Sequence, residues 1–125
     1  MFSITQSGNF NNTERFVKNI LSGSFGRTLQ SAAQRGVAAL AAATPVDSGL
    51  TAASWGYEIS RSRGSWSIRW TNSHVENGFP VVIGLQYGHG TGTGGWVSGR
   101  DFINPAMRPI FEQIANDIWL EVTSA

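Results

Sequence analysis

Side chains able to carry out chemistry are sparse in this chain. It has two histidines, His74 and His89, and no cysteine, so disulfides and thiolate metal sites are excluded by composition. The run YGHGTGTGGWVSGRDF, residues 87–102, holds six of the 15 glycines. Such a run can cradle a phosphate, form a catalytic loop, or become ordered against a partner. A P-loop needs a lysine after its glycines, and the only lysine is Lys18. Gly90, Gly92 and Gly95 match the spacing of a dinucleotide fingerprint. That fingerprint works only where the loop itself opens a helix, and here Trp96, Val97 and Ser98 follow instead.

A hydroxyl nucleophile could be sought in Ser48, with Asp47 and either His74 or His89. Asp47, Ser48 and Gly49 are adjacent, however, and Asp-Ser-Gly is ordinary turn chemistry. No GxSxG elbow is present. A metal site could be sought in His74, Glu76, His89 and Asp101, but no HxH or HxxxH spacing supports it. Arg61, Arg63 and Arg69 lie near Trp66 and Trp70, a mixture that can contact nucleic acid. The competing reading is a solvated hairpin or a subunit interface. No catalytic set, metal or cofactor is expected.

Bulk composition points the same way. The 125 residues suit one domain, and the net charge of +1 provides no field to attract nucleic acid or an anionic membrane. Charged residues make up 14% of the chain, against a usual ~25%. Eight of the nine basic residues are arginine, which suits interfaces better than lysine does. A charge-poor surface is easily desolvated against another chain, although scatter in composition yields the same figures. MFSITQSGNF has neither the basic nor the apolar region of a signal peptide, and no apolar run reaches the ~20 residues that span a bilayer.

The elements that must position these residues follow from periodicity. Residues 1–12 are polar and patternless and are expected to form an extended arm. Asn12 or Thr13 can cap a helix beginning near Glu14, with Phe16, Val17, Ile20 and Leu21 as one stripe. SGSFG at 22–26 ends or kinks it. Leu29, Ala33, Val37 and Leu40 then continue a helical face that stops at Pro45. Trp55, Tyr57 and Ile59, then Trp66, Ile68 and Trp70, alternate as strands around a turn at Arg63-Gly64. The register that sets Tyr57 against Trp70 and Ile59 against Ile68 also sets Glu58 against Arg69. Asn77-Gly78 signals a second hairpin. It leads into a third strand over 81–87, with Leu85 opposite Trp70, and Trp96-Val97 can add a short fourth. A last helix begins at Asn104-Pro105 or at Pro109 and carries Met107, Ile110, Phe111, Ile114, Ile118, Trp119 and Val122. The expected architecture is α+β. An antiparallel meander of three to four strands packs against a long N-terminal helix and a C-terminal helix, in a single domain over 13–125. The run 87–102 protrudes from it as a mobile tongue with Trp96 exposed or docked, the alternative being a loop folded back on its own domain.

Two blocks of this sequence resemble a known family. TPVDSGLTAASW, residues 44–55, is similar to a signature of the neck or tail-completion proteins of long-tailed bacteriophages, which follows the first long helix. Pro45, Asp47, Gly49 and Trp55 carry that likeness. LQYGHGTGTGGWVSGRDFINPAMRP, residues 85–109, is similar to the family's second signature, through Tyr87, Gly88, Gly94, Gly95 and Pro105. Gln86 stands where the family often has an acidic residue, and Gly90 where a basic one is common, so a charge-based contact through them is not implied. The resemblance implies a non-enzymatic virion protein at the head–tail interface, assembled in the host cytoplasm. It implies a ring of copies, commonly sixfold, around a channel through which genomic DNA passes without sequence-specific binding. Neighbouring connector and tail proteins would be its other partners, and no membrane is involved. His89, Trp96, Arg100, Arg61 and Arg63 are then candidate subunit or partner contacts. A tail terminator capping the tail tube, or another connector protein of adaptor or stopper type, is the alternative.

Overall fold

The computed structural model describes residues 2–9, 23–45, 49–62, 65–90 and 94–123. The expected helical stripe from Phe16 to Leu21, the turn at Arg63-Gly64, Asp47, Ser48 and the Val122 side chain lie outside these residues. The architecture is α+β, as periodicity implies.

Helix α1 (Gly23–Ala43) already includes most of the expected interruption at 22–26. Its buried positions, Phe25, Leu29, Ala32, Ala33 and Leu40, recur at steps of three and four and form one stripe. Small residues in that stripe let the helix lie close to the sheet. A Cβ on Gly36 would stand 2.4 Å from the indole nitrogen of Trp70, so only glycine leaves room for that ring. The indole N–H in turn donates to the Ala33 carbonyl at 2.9 Å. Thr44 ends the helix: its amide and its hydroxyl both donate to the Leu40 carbonyl, and its oxygen accepts the Trp55 indole N–H at 2.8 Å.

A single helical turn, α2 (Leu50–Ala53), follows Gly49, whose φ of 81° lies in the left-handed region that glycine tolerates. Strands β2 (Trp55–Ser62) and β3 (Ser65–Asn72) then pair antiparallel in the expected register, Tyr57 with Trp70, Ile59 with Ile68 and Glu58 with Arg69. Glu58 and Arg69 form an ion pair on the solvent face. Trp55, Trp66, Ile68 and Trp70 are buried on the other.

The third strand of this sheet is not residues 81–87. It is β1 (Phe2–Asn9), which runs antiparallel along the free edge of β3 with Ile4 opposite Trp70 and Gln6 opposite Ile68. The order is β1-β3-β2. Residues 2–9, expected as a free arm, are therefore an edge strand of the domain. With β2 on one side of β3 and β1 on the other, no edge of β3 remains for a further strand.

Residues 81–87 meet their backbone hydrogen-bonding needs internally instead. After β4 (Val75–Glu76) and β5 (Phe79–Pro80), joined by a tight turn with Asn77 at φ 52° and Gly78 at φ 78°, the chain enters helix α3 (Val81–Tyr87). The paired left-handed angles are those expected of an Asn-Gly hairpin. The helix buries Val82, Gly84 and Gln86, not the Val81, Ile83, Leu85 and Tyr87 face that strand alternation favours. Strands β6 (Gly88–Gly90) and β7 (Trp96–Ser98) form a separate two-stranded ribbon. Trp96-Val97 is thus a strand, but it pairs with 88–90 and not with the main sheet.

Helix α4 (Ile103–Thr123) closes the core with Ile103, Met107, Ile110, Ile114 and Ile118, while Phe111 is half-buried and stacks obliquely on Trp70 at 6.1 Å. Trp119, expected on that stripe, is 65% exposed. Pro109 lies inside the helix, so the start is the earlier of the two expected positions. The capping side chain is Asp101, whose Oδ1 accepts the Asn104 amide at 3.1 Å, and not Asn104 itself. Arg35 on α1 reaches across to Asp117 at 2.6 Å and Gln113 at 3.2 Å. That pair is about one-third exposed, so it contributes at most about 1 kcal/mol.

Candidate functional site

The glycine-rich run is a short ribbon clamped to the end of α3. Gly88 leaves the helix with φ 93° and its amide donates to the Gly84 carbonyl. Gly99 lies flat against that turn: a Cβ there would stand 2.3 Å from the Gly88 nitrogen and 2.6 Å from the Gln86 carbonyl oxygen. The Arg100 amide donates to the Leu85 carbonyl at 3.0 Å. These close backbone approaches, possible only without side chains, dock the base of the expected tongue on the body. Gly94, at φ 91°, carries the chain back into β7.

Side chains alternate on the ribbon. His89 pairs with Val97 and Gly90 with Trp96, so His89 and Trp96 project from opposite faces. His89 lies against Gly84 of α3, where a Cβ would sit 3.3 Å from its Nδ1. It lines a cleft of about 240 Å³ with Glu76, Asn77, Phe79, Val81 and Leu85. On the other face the Trp96 ring lies across Gly88, within 2.8 Å of where a Cβ would be. Trp96 is 67% exposed and Tyr87 66%. With Val75, Phe79 and Val97 they make five of the eight large apolar side chains found exposed among the described residues. These five lie on the β4–β5 hairpin, at the end of α3 and on the ribbon, distributed over its two sides.

Beneath the ribbon lies a polar hub. Buried Gln86 accepts the Phe102 and Ile103 amides at 3.1 and 3.2 Å, which caps α4, and donates to Asp101 Oδ1 at 2.7 Å. Asp101 also accepts from the Asn104 side chain at 3.1 Å. The Gln86 amide, the Asn104 donors and the charge of Arg108 together hold the Asp101 carboxyl below its ordinary value. A carboxylate at position 86 could accept the two amides but could not donate to Asp101.

A hydroxyl–imidazole–carboxylate chain is also present, built on the expected His74 but with Thr51 and Glu76 where Ser48 and Asp47 were candidates. Thr51 Oγ1 lies 2.7 Å from His74 Nδ1, and His74 Nε2 lies 3.2 Å from Glu76 Oε1. This is the order of a catalytic triad. Thr51, however, is 7% exposed, and its hydroxyl has no open approach for a substrate carbonyl. Asn72 binds the Thr51 carbonyl and the His74 amide at 2.8 and 3.0 Å. The set clasps α2 to the corner after β3. His74 and Glu76 thus meet, while no group of three or more metal-ligating side chains comes together among the described residues.

The remaining candidates are scattered. Arg61 is exposed near Gly26 of α1, far in sequence and fold from the ribbon, and Arg63 lies outside the described residues. Arg100 is exposed at the ribbon's base, and Pro105 is exposed on the first turn of α4. Pro45, Gly49 and Trp55 sit at the junction of α1, α2 and β2, where Trp55 is buried. Gln86 stood out only as a departure from the family pattern, with nothing to mark its capping role, and Gly99 had no signal for its close approach. Gly36 had one: a glycine in an alanine-rich helix costs about 1 kcal/mol relative to alanine, which points to a close approach.

No helix among the described residues is long and apolar enough to cross a membrane. Compared with protein-family models, curated proteins and solved structures, the chain matches none.

Proposed function

We propose that this chain is a structural protein of a bacteriophage head–tail junction, of the neck or tail-completion kind, which assembles as a ring of its own copies around the DNA channel. The observation that supports this most is the coincidence of two features. The run with the densest family resemblance, 85–109, includes the end of α3 and the ribbon docked on it, which expose Tyr87, Trp96 and Val97. Exposed apolar side chains of this size on a charge-poor surface mark an interface with another protein. Trp96, Tyr87 and Arg100 supply the residue types that dominate such contacts. A closed ring needs two different patches on each subunit, and the exposed ribbon would supply one of them.

The test is excision of residues 89–98 with Gly88 joined to Gly99, whose backbones already lie side by side. The shortened protein should remain folded by circular dichroism. In light scattering it should stay a monomer where the intact chain forms a discrete oligomer, and it should fail to complete particles in an assembly extract. Full particle completion by the shortened chain would refute the interface role. Binding of the intact oligomer to purified tail tubes alone, and not to connector rings, would move the assignment to a tail terminator.

A further inference from the structure

The ribbon exposes an indole on one face and borders a largely apolar cleft on the other. The geometry points to these as the two halves of one contact: Trp96 of one copy seats in the cleft bounded by Glu76, Phe79, Val81, Leu85 and His89 of the next. This rests on the reading of the chain as a self-assembling ring protein and names the surface that receives the ribbon.

Four observations carry it. First, His89 and Trp96 point to opposite sides of the ribbon, so a subunit's own indole cannot enter its own cleft. The contact is therefore between copies, and a head-to-tail arrangement of this kind, proposed here, closes into a ring when the rotation permits. Second, the cleft holds about 240 Å³, below the roughly 300–1,000 Å³ of small-molecule pockets and suited to one large side chain. Third, the chemistry matches. Phe79, Val81 and Leu85 offer apolar and aromatic surface to a ring, and the Glu76 carboxylate, 68% exposed, can accept an indole N–H or face a guanidinium. Arg100, exposed at the base of the ribbon that carries Trp96, is the guanidinium that the same copy can bring toward Glu76. Fourth, the indole is already placed across Gly88, so little freedom is lost when it docks.

The experiment is a complementation between two variants of the full chain. Trp96→Ala keeps the cleft and loses the knob; Phe79→Asp keeps the knob and spoils the cleft. Both positions are exposed, so both variants should keep the wild-type circular dichroism spectrum and melting temperature. In sedimentation equilibrium each alone should self-associate at least about thirtyfold more weakly than wild type, the loss typical of an interfacial tryptophan. An equimolar mixture should form a one-to-one dimer that grows no further, since each dimer retains only one sound contact. Exchange of charge in Glu76→Arg with Arg100→Glu should restore association that either change alone weakens. If wild type assembles and both variants assemble equally well, the seat is wrong while the ring reading stands. If wild type neither self-associates nor enters particles, the ring reading fails and this inference with it.

Discussion

Gly36 has no side chain, and the Trp70 indole occupies the space one would fill. The two are coupled, because the indole N–H is anchored on Ala33 one turn earlier in the same helix. Gly36→Ala would improve helix propensity by about 1 kcal/mol. It would also place a methyl 2.4 Å from a ring that is 0% exposed and hydrogen-bonded in place. Overpacking of this kind costs about 1–3 kcal/mol, so we expect a net loss of stability, read as a lower midpoint in urea. A more stable Gly36→Ala protein would show that α1 can move off the sheet. Asp101 makes a second claim at this scale. Its carboxyl is held below its ordinary value by Gln86 and then Asn104. The folded state therefore binds this proton less readily than the unfolded chain. The stabilisation is present above the ordinary carboxylate range and is lost as pH falls through the depressed folded value. Asp101→Asn should flatten that acid loss in urea titrations made at falling pH. Gln86→Glu should destabilise at neutral pH, because a second carboxylate then faces Asp101, and should recover in acid. An unchanged acid profile for Asp101→Asn would mean the cap does not sense that proton.

Among the elements, β1 carries the sharpest consequence. A free arm can be removed without cost to the body. An edge strand cannot, because its removal strips the outer hydrogen-bonded ladder from β3 and uncovers the flank of Trp70 and Ile68. Deletion of residues 2–9 should therefore cost several kcal/mol or give an aggregating protein, since β3 then becomes an exposed edge bearing three buried-face aromatic and aliphatic side chains. Hydrogen exchange should show the β3 amides losing protection before those of α4. Unchanged stability after the deletion would return residues 2–9 to the status of an arm. The ribbon is the opposite case. Its joints to the body include its base at Gly88, Gly99 and Arg100 and the contact of His89 with Gly84. That is why its excision is expected to spare the fold.

For the whole molecule, the scarcity of charge decides what association should look like. With a net charge of +1 and 14% charged residues, self-association through Trp96 and the cleft should be driven by apolar burial. The dissociation constant should change by less than about tenfold between low and physiological salt, since only the Glu76–Arg100 approach is screened. Duplex DNA should bind weakly, with a shallow dependence of log K on log salt, as few phosphates can be neutralised. A steep slope in filter binding would reveal a phosphate-contacting surface and favour the nucleic-acid reading of Arg61 and its neighbours.

Much of the fold was legible without coordinates wherever partners are close in sequence. The register of β2 with β3 followed from alternation and one short turn, because a slip of one residue would send either Trp55, Tyr57 and Ile59 or Trp66, Ile68 and Trp70 to the solvent face and separate Glu58 from Arg69. The Asn77-Gly78 turn, the stripe of α1 and the stripe of α4 from Met107 to Ile118 followed for the same local reason. The free edge of β3 was a different matter. Residues 2–9 and 81–87 could each have filled it, and the contest is between segments far apart in the chain. Only the assembled structure decides it, because the winner is set by what each segment must do elsewhere. Residues 81–87 must turn Gln86 inward to cap α4 and bring Gly88 against Gly99, which a short helix achieves and a strand along β3 would not. The ribbon's two faces and the cleft beside one of them exist as a consequence of that choice.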